Sequence, residues 1–512
     1  MSETAVPTTT LLEALPDKTV LGTLPGRVTG VAYDSRKVAP GELFVAISGF
    51  KQDGRRFAAD AVGRGAAVVV AEGADPLPGS PTPRIIVPSS REALARLADA
   101  YHGHPSRRLT VVAITGTNGK TTTSLLVEAL LGAGGRPTGV IGTIQYRVGE
   151  QAETASQTTP EALELQSLLA RMARVGVGGA AMEVSSHALA LSRVDGIEFD
   201  VAVFTNLTQD HLDFHRTLEA YRDAKARLFT LLAGSRKPYR AAVVNTDDPA
   251  GAAMLRAAAA DPRVRPITFG LHGQAELRPR HWESGLEGIR LEVVSSKGPI
   301  EIVSPLVGEH NVMNLLGAIG VGLALDMEPR RIGETLSRVA TVPGRFERVE
   351  AGQPFLVVVD YAHTPDALER VLTTARKLVG PGGRLGVVFG CGGDRDRGKR
   401  PIMGGIAARL GDFAWVTSDN PRTERPEAIL AEIETGIPAE AAGRHESMAD
   451  RRRAIEAAVA WGREGDVVVI AGKGHETYQI IGAESHDFDD REVARTALRA
   501  RGGAGGQAWR RG

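Results

Sequence analysis

The 512-residue sequence is 42% hydrophobic and balances 61 Lys plus Arg against 61 Asp plus Glu, which allows three ordinary globular domains and supplies no overall field to recruit nucleic acid or an anionic membrane. Its one cysteine, Cys391, excludes an intramolecular disulfide framework and a cysteine zinc cluster. No apolar run approaches the roughly 20 residues of a membrane span, and MSETAVPTTTLLEALP lacks the basic and apolar regions of an export signal, so a cytoplasmic protein is expected.

Residues 1–107 predict a small α/β domain. Short strand-like runs cover Val28 to Tyr33 and Leu43 to Ile47, and AAVVVAE at 66–72 reads as a buried strand. Asp34, Ser35 and Arg36 stand where a strand meets a loop and read first as a turn. The stretch from Gly73 to Pro88, rich in Pro, Gly and Ser, reads as a loop.

The central unit, 108–343, opens on LTVVAITGTNGKTTTSLLVEALL. Val111 to Ile114 make a buried strand, Gly116 and Gly119 bracket a turn, and helical spacing follows at Leu125, Leu126, Ala129 and Leu130. A helix start presents backbone N–H groups and a positive dipole end, which suits phosphate. Lys120 would add a point charge and the Thr121 hydroxyl could reach magnesium. The loop is shorter than the common P-loop, with only Thr117 and Asn118 between its glycines. Two more strand-to-loop transitions follow, one leading to Glu183, Ser185, Ser186 and His187, the other to Asn206, Asp210 and His211. In a mostly parallel sheet such residues fall on the rim where ligands bind. The helix at Tyr221 to Leu232 carries Lys225, which nothing local separates from a solvated lysine. Asn311 and Asn314, one turn apart, could hold a nucleotide edge or cap their helix.

The third unit, 344–500, repeats the α/β rhythm. PFLVVVDYA, RLGVVFGC, DFAWVTSDNPR and DVVVIAGKGHE are four strands ending in polar loops, the pattern of a doubly wound, Rossmann-like sheet. Residues 501–512 predict a disordered tail. Cys391 reads as packing and not as a nucleophile.

The ordered blocks ITGTNGKTTT, MEVSSHAL, TNLTQDHLDFH, GEHNVMN, PGRFE and DYAHTPD resemble those of the Mur ligases, ATP-dependent amide-forming enzymes of peptidoglycan precursor synthesis. DSRKVAPGELFVAISG, GGDRDRGKRP, DNPR and AGKGHE resemble the members that add a diamino acid to UDP-N-acetylmuramoyl-L-alanyl-D-glutamate, and DNPR resembles those that take meso-diaminopimelate. The resemblance implies a three-domain α/β protein: a UDP-muramoyl-binding domain, a central P-loop-type ATPase domain with a mostly parallel sheet, and a Rossmann-like amino-acid-binding domain. It implies ATP contacts at Gly116, Thr117, Asn118, Gly119, Lys120, Thr121, Thr122, Asn311 and Arg345. It implies muramoyl-dipeptide contacts at Tyr33, Ser35, Phe50, Lys51, Gln52, Gln157, Thr158, Thr159, Ser185 and Arg193, with Leu191 a departure at one polar position. It implies diaminopimelate contacts at Arg395, Asp419, Asn420, Pro421, Arg422, Gly472 and Glu476, and Mg2+ held near Thr121, Glu183, His211 and Lys225, the last as N6-carboxylysine. Lys120, Glu183, His211 and Lys225 would then be catalytic, the partners would be small molecules, and a monomer whose domains close during turnover is expected. The competing readings are an L-lysine-adding member, a ligase of the folylpolyglutamate type and a non-ligating ATP-dependent regulatory module.

Overall fold

The computed structural model describes residues 5–49, 52–339 and 341–504. The chain forms two compact units, Met1–Leu207 with Thr217–Arg278 and Leu316–Ile332, and Thr208–Arg216 with Pro279–Leu315 and Gly333–Gly512. In the first unit, a five-stranded sheet runs in the order Thr19–Leu21, Arg84–Val87, Val68–Glu72, Leu43–Ala46, Val31–Ala32. Its strands are parallel except for Thr19–Leu21. Arg84–Val87 corrects the expected loop over Gly73 to Pro88. The Pro/Gly-rich approach to this strand hides its apolar residues, and Arg84 is anchored by Asp75 at 2.7 Å and by the carbonyls of Ser80 and Thr82.

The second sheet of this unit has eight strands, in the order Gln151–Thr154, Gln145–Val148, Thr138–Ile141, Gly179–Glu183, Thr110–Thr115, Val201–Phe204, Arg240–Asn245, Val264–Phe269. The six from Thr138–Ile141 onward are parallel. Their interior members are buried along their length, which is why they read as continuous apolar runs and not as alternations. Register sets Glu183 beside Ile114 and Phe204 beside Thr115. Three strands therefore end side by side, and the loops that follow them share one rim.

The second unit holds a six-stranded sheet in the order Glu347–Arg348, Leu356–Asp360, Val467–Ala471, Leu385–Phe389, Phe413–Thr417, His445–Met448. All neighbours are parallel except the first pair. The last strand in sequence except one hairpin is inserted between the first two long ones, so the chain reverses direction across the sheet beside Val467–Ala471, the kind of switch point at which open α/β sheets bind ligands. A three-stranded sheet, Arg278–Gly285, Gly288–Ser295 and Gly298–Ser304, has no counterpart in the expected helix–strand alternation. One of its faces is buried and the other open along Gly298–Ser304, as suits antiparallel pairing. The final helix, Asp490–Ala504, corrects the start of the expected tail: 501–504 are helical, and 505–512 lie outside the described residues.

Candidate active site

In the first unit the strand Thr110–Thr115 delivers its chain into Gly116–Gly119 and then the helix Lys120–Gly132. Gly116 at φ 153° and Gly119 at φ 84° occupy conformations that side chains avoid. The loop is shaped from the neighbouring strand end: Asn206 O accepts from Thr117 N at 2.8 Å, Asn206 Oδ1 accepts from Asn118 N at 3.0 Å, and Thr205 Oγ1 donates to Asn118 O at 2.6 Å. Asn206, expected on the ligand-binding rim, supports the loop, and Thr205 was not among the expected site residues, because the sequence signal lay in the loop itself and not in what supports it. Lys120 Nζ donates to Gly116 O at 2.9 Å and Thr117 O at 2.8 Å. Thr121 and Thr122 are buried in the first helical turn.

Glu183, 1% exposed, ends the adjacent strand. Its Oε2 accepts from Thr121 Oγ1 and Thr143 Oγ1, both at 3.0 Å, and its Oε1 accepts from Thr143 N at 2.9 Å. Thr143 is a second residue that sequence reasoning missed. Lys225, from the helix Leu218–Gly234, is buried, stands 4.3 Å from the Tyr221 ring centroid and donates to Gly116 O at 2.8 Å. Lys120 and Lys225 thus share one carbonyl oxygen. Burial separates Lys225 from the solvated lysine that local sequence left open, since the turn of helix that carries it faces the loop.

Among the described residues no three His, Cys, Asp or Glu gather as a metal cluster. Magnesium needs less, binding through one or two carboxylates with hydroxyls, waters and substrate phosphates. The adjoining Thr121 hydroxyl and Glu183 carboxylate are hard oxygen donors of that kind, so these residues fit the ion. His211 lies in the other unit, in a left-handed conformation at φ 53°, with Nε2 3.4 Å from Asp210 Oδ2.

Around Glu183 the structure gathers five of the residues expected to hold the muramoyl dipeptide, Gln157, Thr158, Thr159, Ser185 and Arg193. Arg193 donates to Gln157 Oε1 and Thr159 O, both at 2.9 Å, and pairs with Glu161 at 2.7 Å. Thr159 Oγ1 donates to Glu183 O at 3.0 Å and accepts from Ser185 N at 3.1 Å, while Thr158 Oγ1 stands 3.1 Å from Thr143 Oγ1. Ser185 also caps the short helix Ser186–Ala190. Elsewhere in this unit Ser35 is buried at the start of a 3-10 turn capped by Asp34, and Arg36 holds the Asp34 carboxyl down to about 2. Tyr33 donates to Glu164 Oε1 at 2.8 Å; burial, reinforced by that carboxylate, pushes its hydroxyl pKa up. Gln52 is exposed. Phe50 and Lys51 lie outside the described residues.

In the second unit, Asn311 directs its amide to Val307 O at 2.8 Å and accepts from Asn314 at 3.0 Å, so its side chain organises the start of its own helix. Arg345 stacks on the Tyr361 ring at 4.6 Å. The residues expected to hold diaminopimelate collect at adjacent strand ends. Arg422, at φ 52°, donates to Gly393 O at 2.8 Å, and Pro421 precedes it in DNPR. Its backbone is tied to the hairpin at Ile480 and Gly482. Asn420 donates to Glu476 Oε2 at 3.0 Å, and Gly472 has φ 122° with Asp419 Oδ2 3.4 Å from where a Cβ would stand. Asp419 Oδ1 is buried and has no hydrogen-bond partner. Arg395 is exposed and donates to Asp394 O. Cys391 packs against Met403, and burial pushes its thiol up to about 12, which suits packing and not nucleophilic chemistry.

The models of the Mur ligase family cover the chain in three pieces: the Mur ligase family catalytic domain at 27–102, the Mur ligase middle domain at 114–322, and the Mur ligase glutamate ligase domain at 344–474. The chain is 46% identical over 480 residues to the UDP-N-acetylmuramoyl-L-alanyl-D-glutamate–2,6-diaminopimelate ligase of Syntrophomonas wolfei, covering 94% of this chain and 96% of the relative. It is 49% identical over 478 residues to the protein of that name from Gloeobacter violaceus, covering 93% and 94%. A solved structure of a UDP-N-acetylmuramoyl-L-alanyl-D-glutamate–2,6-diaminopimelate ligase superposes with a TM-score of 0.70 at 35% identity, covering 97% of this chain and 99% of that one. The three-domain α/β architecture expected from the motifs is thereby borne out, and the chain belongs to the Mur ligase family.

Proposed function

We propose that this chain is an ATP-dependent ligase that joins meso-diaminopimelate to the D-glutamate γ-carboxylate of UDP-N-acetylmuramoyl-L-alanyl-D-glutamate. The observation that carries the reading is the cluster of Asp419, Asn420, Arg422 and Glu476 on the loops after Phe413–Thr417 and Val467–Ala471, with one Asp419 oxygen buried and lacking a hydrogen-bond partner. Acids beside a guanidinium match an amino acid that presents both ammonium and carboxylate groups.

A carboxylate is a poor acyl donor until its oxygen is converted to a leaving group. The γ-carboxylate attacks the ATP γ-phosphorus, ADP departs, and an acyl phosphate forms. An amine of diaminopimelate then attacks the acyl carbon and expels phosphate. The first step brings two anions together, so positive charge and fixed dipoles are required at the phosphoryl group. Backbone N–H groups of the Gly116–Thr122 segment other than those of Thr117 and Asn118, which are given to Asn206, and the Lys120 ammonium would supply them. Mg2+, when bound, adds charge at the phosphates, with Thr121, Glu183, His211 and carboxylated Lys225 as the proposed ligands. Two ammonium groups on one carbonyl oxygen disfavour each other. As N6-carboxylysine, formed when its amine adds carbon dioxide with loss of a proton, Lys225 would set a negative group beside Lys120 in place of a second cation. Gln157, Thr158, Thr159, Ser185 and Arg193 then position the dipeptide end, with Tyr33, Ser35, Phe50, Lys51 and Gln52 at the uridine end. Arg345 and Asn311 are nucleotide contacts, and Arg395 and Gly472 complete the amino-acid pocket.

Phosphate release from ATP is the test, measured with the UDP-muramoyl dipeptide and meso-diaminopimelate, L-lysine or no amino acid, with product mass confirmed. Release and a tripeptide product with diaminopimelate are expected. A preference for lysine, which lacks the second carboxylate that Arg422 would pair, would refute that pairing, and release indifferent to the dipeptide would refute ligation.

A further inference from the structure

Between the DNPR loop and the loop after Val467–Ala471 lies a residue the proposed function does not use. Lys473 is 0% exposed. Its Nζ donates to Asn420 Oδ1 at 3.1 Å and Glu476 Oε2 at 3.0 Å, and stands 3.7 Å from Asp419 Oδ1. Asn420 Nδ2 donates to the same Glu476 oxygen at 3.0 Å, closing a ring of three groups. Asn420 Oδ1 also accepts from Ile480 N at 2.9 Å, which fixes the amide's orientation with its oxygen toward Lys473.

We infer that Lys473 is the positioning residue of the amino-acid pocket, holding Asn420, Asp419 and Glu476 in the arrangement that receives the ammonium end of the incoming diamino acid. The inference rests on the ligase reading given above. A lysine has three tetrahedral donors and no acceptor, so one ammonium can hold Asn420 and Glu476 while facing Asp419. It also offsets one of two carboxylate charges. Asp419 and Glu476 without it would be one buried and one half-buried anion in one site, and both already act on the Tyr361 hydroxyl, helping burial push its pKa up. With Lys473 in place, one carboxylate charge is left for the ligand, and Asp419 Oδ1, which faces the Lys473 ammonium at 3.7 Å but accepts no hydrogen bond, is the place to receive it. Lys473 itself makes no contact with reacting atoms in this assignment.

The test is steady-state kinetics of Lys473→Met and Lys473→Arg beside the unsubstituted enzyme, varying diaminopimelate, ATP and UDP-muramoyl dipeptide in turn, with melting curves for each protein. For Lys473→Met the KM for diaminopimelate should rise about 10- to 100-fold, the range found when groups that orient ligands are removed at metal sites, while KM for ATP and dipeptide stays within about twofold. Lys473→Arg keeps the charge but not the tetrahedral donors, so it should melt near the unsubstituted enzyme and show a smaller rise in the same constant. If Lys473→Met does not fold, the Arg variant decides: an unchanged KM for diaminopimelate would overturn the inference. A Met variant that loses kcat alone, or raises all three constants equally, would also overturn it. Absence of diaminopimelate-dependent turnover in the unsubstituted enzyme would instead overturn the ligase reading.

Discussion

Replacing Gly116 with alanine tests whether the phosphate loop owes its shape to the neighbouring strand end. A Cβ at this position would stand 1.9 Å from Thr205 Oγ1 and 3.1 Å from Asn206 N and O. The Thr205 side chain must therefore move, surrendering its 2.6 Å hydrogen bond to Asn118 O, a loss of about 1 kcal/mol. The φ of 153° adds a backbone cost of about 1–3 kcal/mol for a residue with a side chain. Together these give roughly 2–4 kcal/mol, concentrated in the loop that is to hold the triphosphate. Melting curves and the KM for ATP should both deteriorate. In a Thr205→Ala background the new methyl meets no hydroxyl, so Gly116→Ala should cost about 1 kcal/mol less there than alone, a non-additivity expected of residues in contact. Additive costs, or a Gly116→Ala enzyme with unchanged melting and ATP dependence, would refute the reasoning.

Two further perturbations act on the second unit. Arg451 and Asp490 are both 0% exposed and paired at 2.6 Å, and Arg451 also donates to Ser418 O and Ala471 O, the carbonyls just ahead of the two amino-acid loops. Arg451→Met leaves a buried carboxylate alone and should destabilise this unit by about 3–5 kcal/mol, whereas adding Asp490→Leu should recover much of that loss; denaturant unfolding checks both, and an equally unstable double variant would contradict the pairing argument. Glu424 is held down to about 2, first by its hydrogen bonds to the buried Arg400 guanidinium and then by Asp394 N. A folded-state pKa below the unfolded one makes its contribution fully present above the ordinary glutamate range and lost as pH falls toward about 2. Glu424→Gln should therefore lower stability at neutral pH and flatten the loss of stability in acid, as read from melting curves between those limits; parallel curves for the two proteins would contradict this.

The phosphate loop was legible because its chemistry is local: glycines, lysine and threonine stand in sequence at a strand-to-helix junction. DNPR and Glu476 were legible only through the family resemblance, since by themselves they read as polar loops at the ends of apolar runs. The supports were not. Thr143, Thr205 and Asn206 act on the loop or on Glu183 from other strand ends, and no spacing in the chain announces which strands become neighbours. Lys225 read as a solvated lysine because helical periodicity says which residues share a face, but not what that face meets. Lys473 sat in full view within AGKGHE and was passed over in favour of its neighbours, since a lysine in a polar loop gives no sign that it will be wholly buried. The sheet from Arg278 to Ser304 was missed where its strands alternate, because the surrounding α/β rhythm suggested a different period.

The bonds from Lys120 to Gly116 O and Thr117 O bear on nucleotide choice. The ammonium already has two oxygen acceptors, so an arriving nucleotide competes with carbonyl dipoles and not with bulk water. Exchange of a neutral acceptor for another neutral acceptor gains nothing, while exchange for a phosphate oxygen gains the difference between a dipole and a full negative charge. A nucleoside lacking phosphates has no leverage on this lysine. In the proposed ATP site the side chain thus works as a threshold, yielding to ligands in proportion to the negative charge they bring.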